Sequence, residues 1–148
     1  MISVSDALDN LFSLCAPLDT ERLPLREAAG RVLAEDAVAK RDQPPFASSA
    51  MDGYGVRADH PQPGDRFTVI GESAAGHSYD GTLGDGEAVR IFTGAPVPEG
   101  VTRVIIQEDV RREGDGITVT ETLSENRNIR PLGGDFKSGD RITAPRRL

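Results

Sequence analysis

Three stretches of this chain carry side chains that could do chemistry, each set among glycines and small residues. The first is PPFASSAMDGYGV, residues 44–56, in which Asp52 is the one acid. An Asp-Gly pair favours a turn, and a turn would hold the Asp52 carboxylate at its tip. That is either an ordinary β-turn or a carboxylate presented to a metal ion or a polar substrate. The second is IFTGAPVPEG, residues 91–100. Thr93 can offer a hydroxyl and Gly94 an exposed N–H, a pairing suited to an oxyanion or phosphate; the alternative is a proline-stiffened link between strands. The third is NIRPLGGDFKSGD, residues 128–140, with Arg130, Asp135, Lys137 and Asp140 among glycines. Arg130 could clamp a phosphate or carboxylate bidentately, or the set could be a solvated loop whose ion pairs contribute little. Ser49 lies three residues before Asp52 and is a further polar group of the first stretch.

Other titratable groups are less promising. Gln107-Glu108-Asp109 leaves an apolar run with two acids, a common surface pattern. His60 and His77 lie far apart, without a third ligand at metal spacing. The single cysteine, Cys15, allows no internal disulfide and no cysteine-based metal site, and its apolar neighbours suggest a small core residue.

The bulk properties narrow the partners. The net charge is −7 over 148 residues, with no basic run, which argues against nucleic acid. No apolar stretch reaches membrane-spanning length and no leader opens the chain, so no membrane association and a cytoplasmic location are expected. Sixteen glycines and ten prolines punctuate the chain so often that many short strands, rather than long helices, should position the three stretches.

Residues 3–15 read as a helix capped by Ser3 or Ser5, with Leu8, Leu11, Phe12 and Cys15 on one face and Pro17 at its end. A second short helix is expected over 24–30, and RVLAEDAVAK (31–40) reads as extended. Strands are expected at 67–73, 87–92, 103–110 and 116–123, with a hairpin tip at Gly114-Asp115-Gly116. The tail should return one or two strands toward the N-terminal part. The fold class is therefore mainly β with short N-terminal helices (α+β). A small β-barrel or sandwich module at 42–125 is inserted in a mixed α/β module made of 1–41 and 126–148.

Taken together, PPFASSAMDGYGVRADH, AVRIFTGAPVPEGVTRVIIQED and NIRPLGGDFKSGD resemble, nearly phrase for phrase, the N-terminal part (domains I and II) of the molybdopterin molybdenumtransferase family, MoeA in bacteria, which is similar to the E domain of gephyrin. SVSDALDNLF and LPLREAAGRVLAEDAVAKRDQPPF also look like that family's opening, so the resemblance covers essentially the whole chain. It implies a transferase of molybdenum cofactor biosynthesis. Molybdate and adenylylated molybdopterin would give molybdenum cofactor and AMP, with a divalent metal such as magnesium. It implies a homodimer whose active site lies between the N-terminal modules of one chain and the pterin-binding domain of the other, and an upstream protein that adenylylates molybdopterin. By motif match, Asp52 and Thr93 fall on cleft-lining, catalytic positions, Asp52 also as a metal ligand. Ser49, Gly94, Arg130 and Asp135 fall on substrate-binding ones.

This chain departs from the family pattern at Ala47, where an acid is frequent, at Gly134, where Glu is frequent, and at Pro131, where Arg is frequent. It also stops where family members continue into the pterin-binding domain. A fragment, inactive by itself, is expected, with helix 3–15 packing on the absent domain. Two other classes of function compete with this reading. One is a non-catalytic binding or scaffold module; the other is a small hydrolase pairing Asp52 with Asp135 or Glu108.

Overall fold

The computed structural model describes residues 2–16 and 18–144. Pro17, expected to end the first helix, lies outside the described residues. The chain divides into two compact units, one built from the residues up to Val38 and those from Asp140 onward, the other spanning Ala39–Gly139.

In the first unit, helix α1 covers Val4–Ser13. Ser3 and Asp6 form a reciprocal capping box, Asp6 N–H donating to Ser3 Oγ at 3.1 Å and Ser3 N–H to Asp6 Oδ2 at 3.3 Å. The helix buries none of its residues; Leu8, Leu11 and Phe12 are all exposed. Cys15 corrects the expectation of a core residue. It is an exposed free thiol, because it lies past the last helical turn and no packed surface covers it. The helix expected over 24–30 shrinks to one 3₁₀ turn, Leu25–Glu27. A two-residue strand β1, Ala37–Val38, pairs antiparallel with the last strand, β10, Arg141–Ile142, so the tail does return to the N-terminal part.

The second unit holds β2 (Ser48–Ser49), β3 (Gly53–Val56), β4 (Arg66–Ser73), β5 (Glu87–Ile91), β6 (Arg103–Ile106), β7 (Val110–Glu113), β8 (Gly116–Val119) and β9 (Ile129–Arg130). Six of them form one curled, half-barrel sheet in the order β6-β3-β5-β4-β8-β7. Only β4 and β5 run parallel, with a register shift between Val69 and Gly71. Mainly β structure with one helix matches the fold class read from composition and pattern. The hairpin at Gly114-Asp115 joins β7 to β8 as expected. The run 103–110 is two strands rather than one, broken by a 3₁₀ turn at Gln107–Asp109.

The stretch that contains Asp52 supplies the larger surprise. GYGV is a fully buried strand between β5 and β6, not a loop. Two glycines reduce strand propensity, but here they admit close neighbours. A Cβ on Gly53 would lie 2.0 Å from the Ile105 carbonyl oxygen, and one on Gly55 would press on Val101 at 3.1 Å. Tyr54 and Val56 pack with Phe67, Ala88, Ile105, Ile117 and Val119 in the main core, while Ile91, Ala95 and Val104 form a smaller cluster. Complete burial of such residues contributes roughly 1.5–3 kcal/mol for each large side chain. That rigid centre fixes the position of the chain just before it, where Asp52 lies.

Candidate functional site

The three chemically promising stretches meet in the second unit. Residues 47–50 run between the other two and bond to both. On one side Ser49 N–H donates to Ala95 O at 3.0 Å, Gly94 N–H to Ser49 O at 2.8 Å and Val97 N–H to Ala47 O at 2.9 Å. On the other side Ser48 pairs with Arg130 and Ser49 with Ile129, and Ala50 N–H donates to Asn128 O at 2.9 Å. Asn128 adopts a positive φ of 55° and sends its side-chain amide to Val104 O at 3.0 Å, tying this edge to β6. An Asn tolerates that left-handed conformation better than most residues.

Asp52 and Thr93 are brought into direct contact. Asp52 Oδ1 accepts two hydrogen bonds from Thr93, one from its N–H at 2.7 Å and one from its hydroxyl at 2.7 Å. Both residues are exposed. The Thr93 N–H, then its hydroxyl, draw the Asp52 pKa below the ordinary carboxylate value; slight desolvation opposes them and the Arg90 charge adds to the lowering. Asp52 is thus held as an anion at the surface, aimed by a partner 41 residues away in sequence.

The remaining expected residues take different parts. Ser49 is buried and its hydroxyl donates to Met51 O at 2.6 Å, so it shapes the turn before Asp52 and faces no open surface. Gly94, at φ 81°, is exposed, but its N–H is spent on Ser49 O; with the Thr93 hydroxyl spent on Asp52, the pairing read as an oxyanion contact is occupied within the fold. The left-handed φ explains why glycine stands there. Arg130 Nη2 donates to Asp135 Oδ1 in a half-exposed ion pair, and Asp135 N–H donates to Gln43 O at 2.8 Å. Arg130 therefore reaches its own loop's acid, opposite Ser48 in the pairing. Glu108 accepts from the Gln107 side-chain amide at 3.1 Å.

Arg90 is the functional candidate that sequence reading missed. Its guanidinium donates to Gly53 O at 3.2 Å and to Gln107 Oε1 at 2.7 Å, and lies over the rings of Tyr54 at 5.0 Å and Phe92 at 4.7 Å. It is the cation whose charge reaches Asp52. Its position in AVRIF, residues 88–92, gave one signal, a charge in an otherwise apolar run.

Among the described residues no three His, Cys, Asp or Glu side chains converge on a metal-sized site. Hollows of about 250 Å³, along Arg66–Thr68 and Gly116–Thr118, and about 100 Å³, between Met51, Arg103 and Asp109, are lined by neither Asp52 nor Thr93. The pair stands on open surface. No helix among the described residues is long and apolar enough to cross a membrane.

Known proteins share this arrangement of sequence and fold. The chain is 46% identical over 125 residues to the molybdopterin molybdenumtransferase of Haemophilus influenzae, covering 84% of this chain and 31% of that protein. It is 33% identical over 144 residues to the Staphylococcus aureus protein of the same name, covering 94% and 34%. The crystal structure of the molybdopterin biosynthesis MoeA protein from Pyrococcus horikoshii superposes with a TM-score of 0.81 at 41% identity, over 95% of this chain and 38% of that one. The chain thus spans about a third of the length of these curated relatives. With the family model for the MoeA N-terminal region, domains I and II, matching residues 2–148, the chain belongs to that family.

Proposed function

We infer that this chain supplies the N-terminal part of a molybdenum insertase, an enzyme that converts molybdate and adenylylated molybdopterin to molybdenum cofactor and AMP. The observation that carries this reading is the Asp52–Thr93 contact, set at the junction of the three family-like stretches and open to solvent. An anionic carboxylate with a fixed orientation suits a site that must order a divalent ion and a charged substrate.

Asp52 is the residue that would hold magnesium, whose usual coordination takes one or two carboxylates and completes itself with substrate phosphate and water. A single exposed carboxylate, held in one orientation by Thr93, fits that pattern. When bound, the ion would offset phosphate charge as AMP leaves. Thr93 orients the carboxylate through both of its donors. Arg130, exposed on one side of its pair with Asp135, is available to a substrate phosphate by exchange of partners.

The site is half of a composite pocket. An open surface pair needs a second wall to exclude water, and a homodimer would provide it from the pterin-binding domain of the other chain. The exposed apolar residues of α1 offer a second docking surface in the same assembly. A protein that adenylylates molybdopterin would act upstream. By itself the 148-residue chain is expected to bind no molybdopterin and to turn over nothing.

A chimera tests this reading. The chain is joined to the remaining two-thirds of the Haemophilus influenzae enzyme and expressed in a bacterium that lacks its own molybdopterin molybdenumtransferase. Recovery of a molybdenum enzyme's activity is expected, with loss on Asp52→Asn or Thr93→Val. A chimera that folds, dimerises and restores nothing would overturn the reading.

A further inference from the structure

Arg90 lies against both sides of the Asp52–Thr93 pair. Next to Asp52, its Nη1 donates to the Gly53 carbonyl at 3.2 Å. Next to Thr93, its guanidinium lies over the Phe92 ring at 4.7 Å. Its Nη2 donates at 2.7 Å to the side chain of Gln107, whose own N–H donates to the Asp52 carbonyl at 3.1 Å. The ring of Tyr54, directly across the strand pair from Arg90, adds a second aromatic contact at 5.0 Å.

One side chain therefore ties together the end of β6, the start of β3 and the end of β5, and these are the three backbones that carry or flank the pair. A planar guanidinium can do this because its donors diverge in a fixed fork while its faces stack on rings. A lysine keeps the charge and the apolar stem but has no fork. No carboxylate pairs with Arg90 among the described ion pairs, so its bonding is spent on holding backbone and amide oxygens.

We propose that Arg90 is a positioning residue for the Asp52–Thr93 pair, clamping Gly53, Gln107 and Phe92 so that the Asp52 carboxylate stays seated on the Thr93 N–H and hydroxyl. It rests on the reading of that pair as the reactive end of the site, but its geometry is testable without any reaction.

The test is amide hydrogen exchange at Thr93 in the unaltered chain, in Arg90→Lys and in Gln107→Ala, with the Thr68 and Val119 amides as references. Those two donate to Gly86 O and Asp65 O, away from the clamp. Thr93 exchange is expected to speed by about tenfold or more in both variants while the references hold, since local opening is governed by local contacts. A variant that merely loosens the fold would speed all three amides together. Unchanged Thr93 exchange in both variants, or a Thr93 rate that only follows the references, would overturn the proposal. Gln107→Ala leaves the stacked arginine in place, so the outcome stays readable if Arg90→Lys fails to fold. The chimera's activity is scored separately. Selective Thr93 exchange with an inactive chimera would leave the clamp standing and remove the transferase reading alone.

Discussion

Gly53 backs onto Ile105 so closely that a β-carbon there would stand 2.0 Å from the Ile105 carbonyl oxygen. The obstacle is backbone in a paired strand, which cannot swing aside as a side chain can. Gly53→Ala is therefore expected to destabilise the chain by about 3 kcal/mol or more, at the upper end for overpacking. Gly55→Ala meets only the Val101 methyls at 3.1 Å, and a small shift of that side chain should limit the loss to about 1 kcal/mol. Urea denaturation of the two variants reads the difference directly, and equal losses would contradict the packing described for β3.

Asp52 gives the fold a pH signature. Its carboxyl is held below the ordinary value by the Thr93 N–H and hydroxyl, so the folded state binds its proton less readily than the unfolded state does. The stabilisation is present above the unfolded Asp value of about 3.9 and is lost as pH falls through the lower folded value. Asp52→Asn keeps an oxygen acceptor but cannot ionise. Its stability should fall less steeply than that of the unaltered chain as pH drops below about 4. Thermal melts across that range check it; parallel curves would show that the Thr93 bonds do not favour the anion. Thr93→Val removes one of the two donors and should cost less stability than Gly53→Ala, because the pair is exposed.

Arg130 and Asp135 form an exposed pair, half open to water on both sides. Solvent screening limits such pairs to about 0–1 kcal/mol. A double-mutant cycle with Arg130→Ala and Asp135→Ala is expected to give a coupling within that range and to leave the thermal midpoint close to that of the unaltered chain. A coupling well above it would mean that the loop at 131–136 depends on the ion pair. In the structure its backbone bonds to Gln43 and Pro44 already anchor it.

The sequence carried the local signals of this fold and lost the non-local ones. A serine cap at the start of the first helix, the hairpin at Gly114-Asp115 and a strand at 67–73 are each encoded within a few residues, and each was legible. β3 was not. Its glycines lower strand propensity, and the reasons for them, the Ile105 backbone at Gly53 and the Val101 side chain at Gly55, arrive from about fifty residues downstream. The break in 103–110 was also hidden, because Gln107–Asp109 turns to carry the chain from one edge of the curled sheet to the other. Within the site, Asp52 and Thr93 were readable as types suited to chemistry, but their mutual bond was not. Gly94 looked like a free donor until its N–H was found on Ser49 O. Arg90 gave only a faint signal because its partners are a carbonyl, an amide and two rings drawn from β3, the 3₁₀ turn and the residue after β5, a gathering that no linear motif can show.

Asp109 behaves in the opposite sense to Asp52. Partial burial, then the charges of Glu121 and Glu108, push its carboxyl above the ordinary value. The folded state therefore binds this proton more readily than the unfolded state, and ionising Asp109 costs stability as pH rises through the carboxylate range. Asp109→Asn removes that cost while keeping the shape, and the Asp109 carbonyl still accepts from Thr120 N–H at 2.8 Å. The variant should gain about 0.5 kcal/mol at neutral pH, the scale of one relieved like-charge contact. It should gain nothing near pH 3, where the native carboxyl is already protonated. Melting both proteins at the two pH values decides the matter. A gain of equal size at both would point to packing at residue 109, and a loss at neutral pH would mean that the ionised carboxylate has a favourable partner across the 3₁₀ turn.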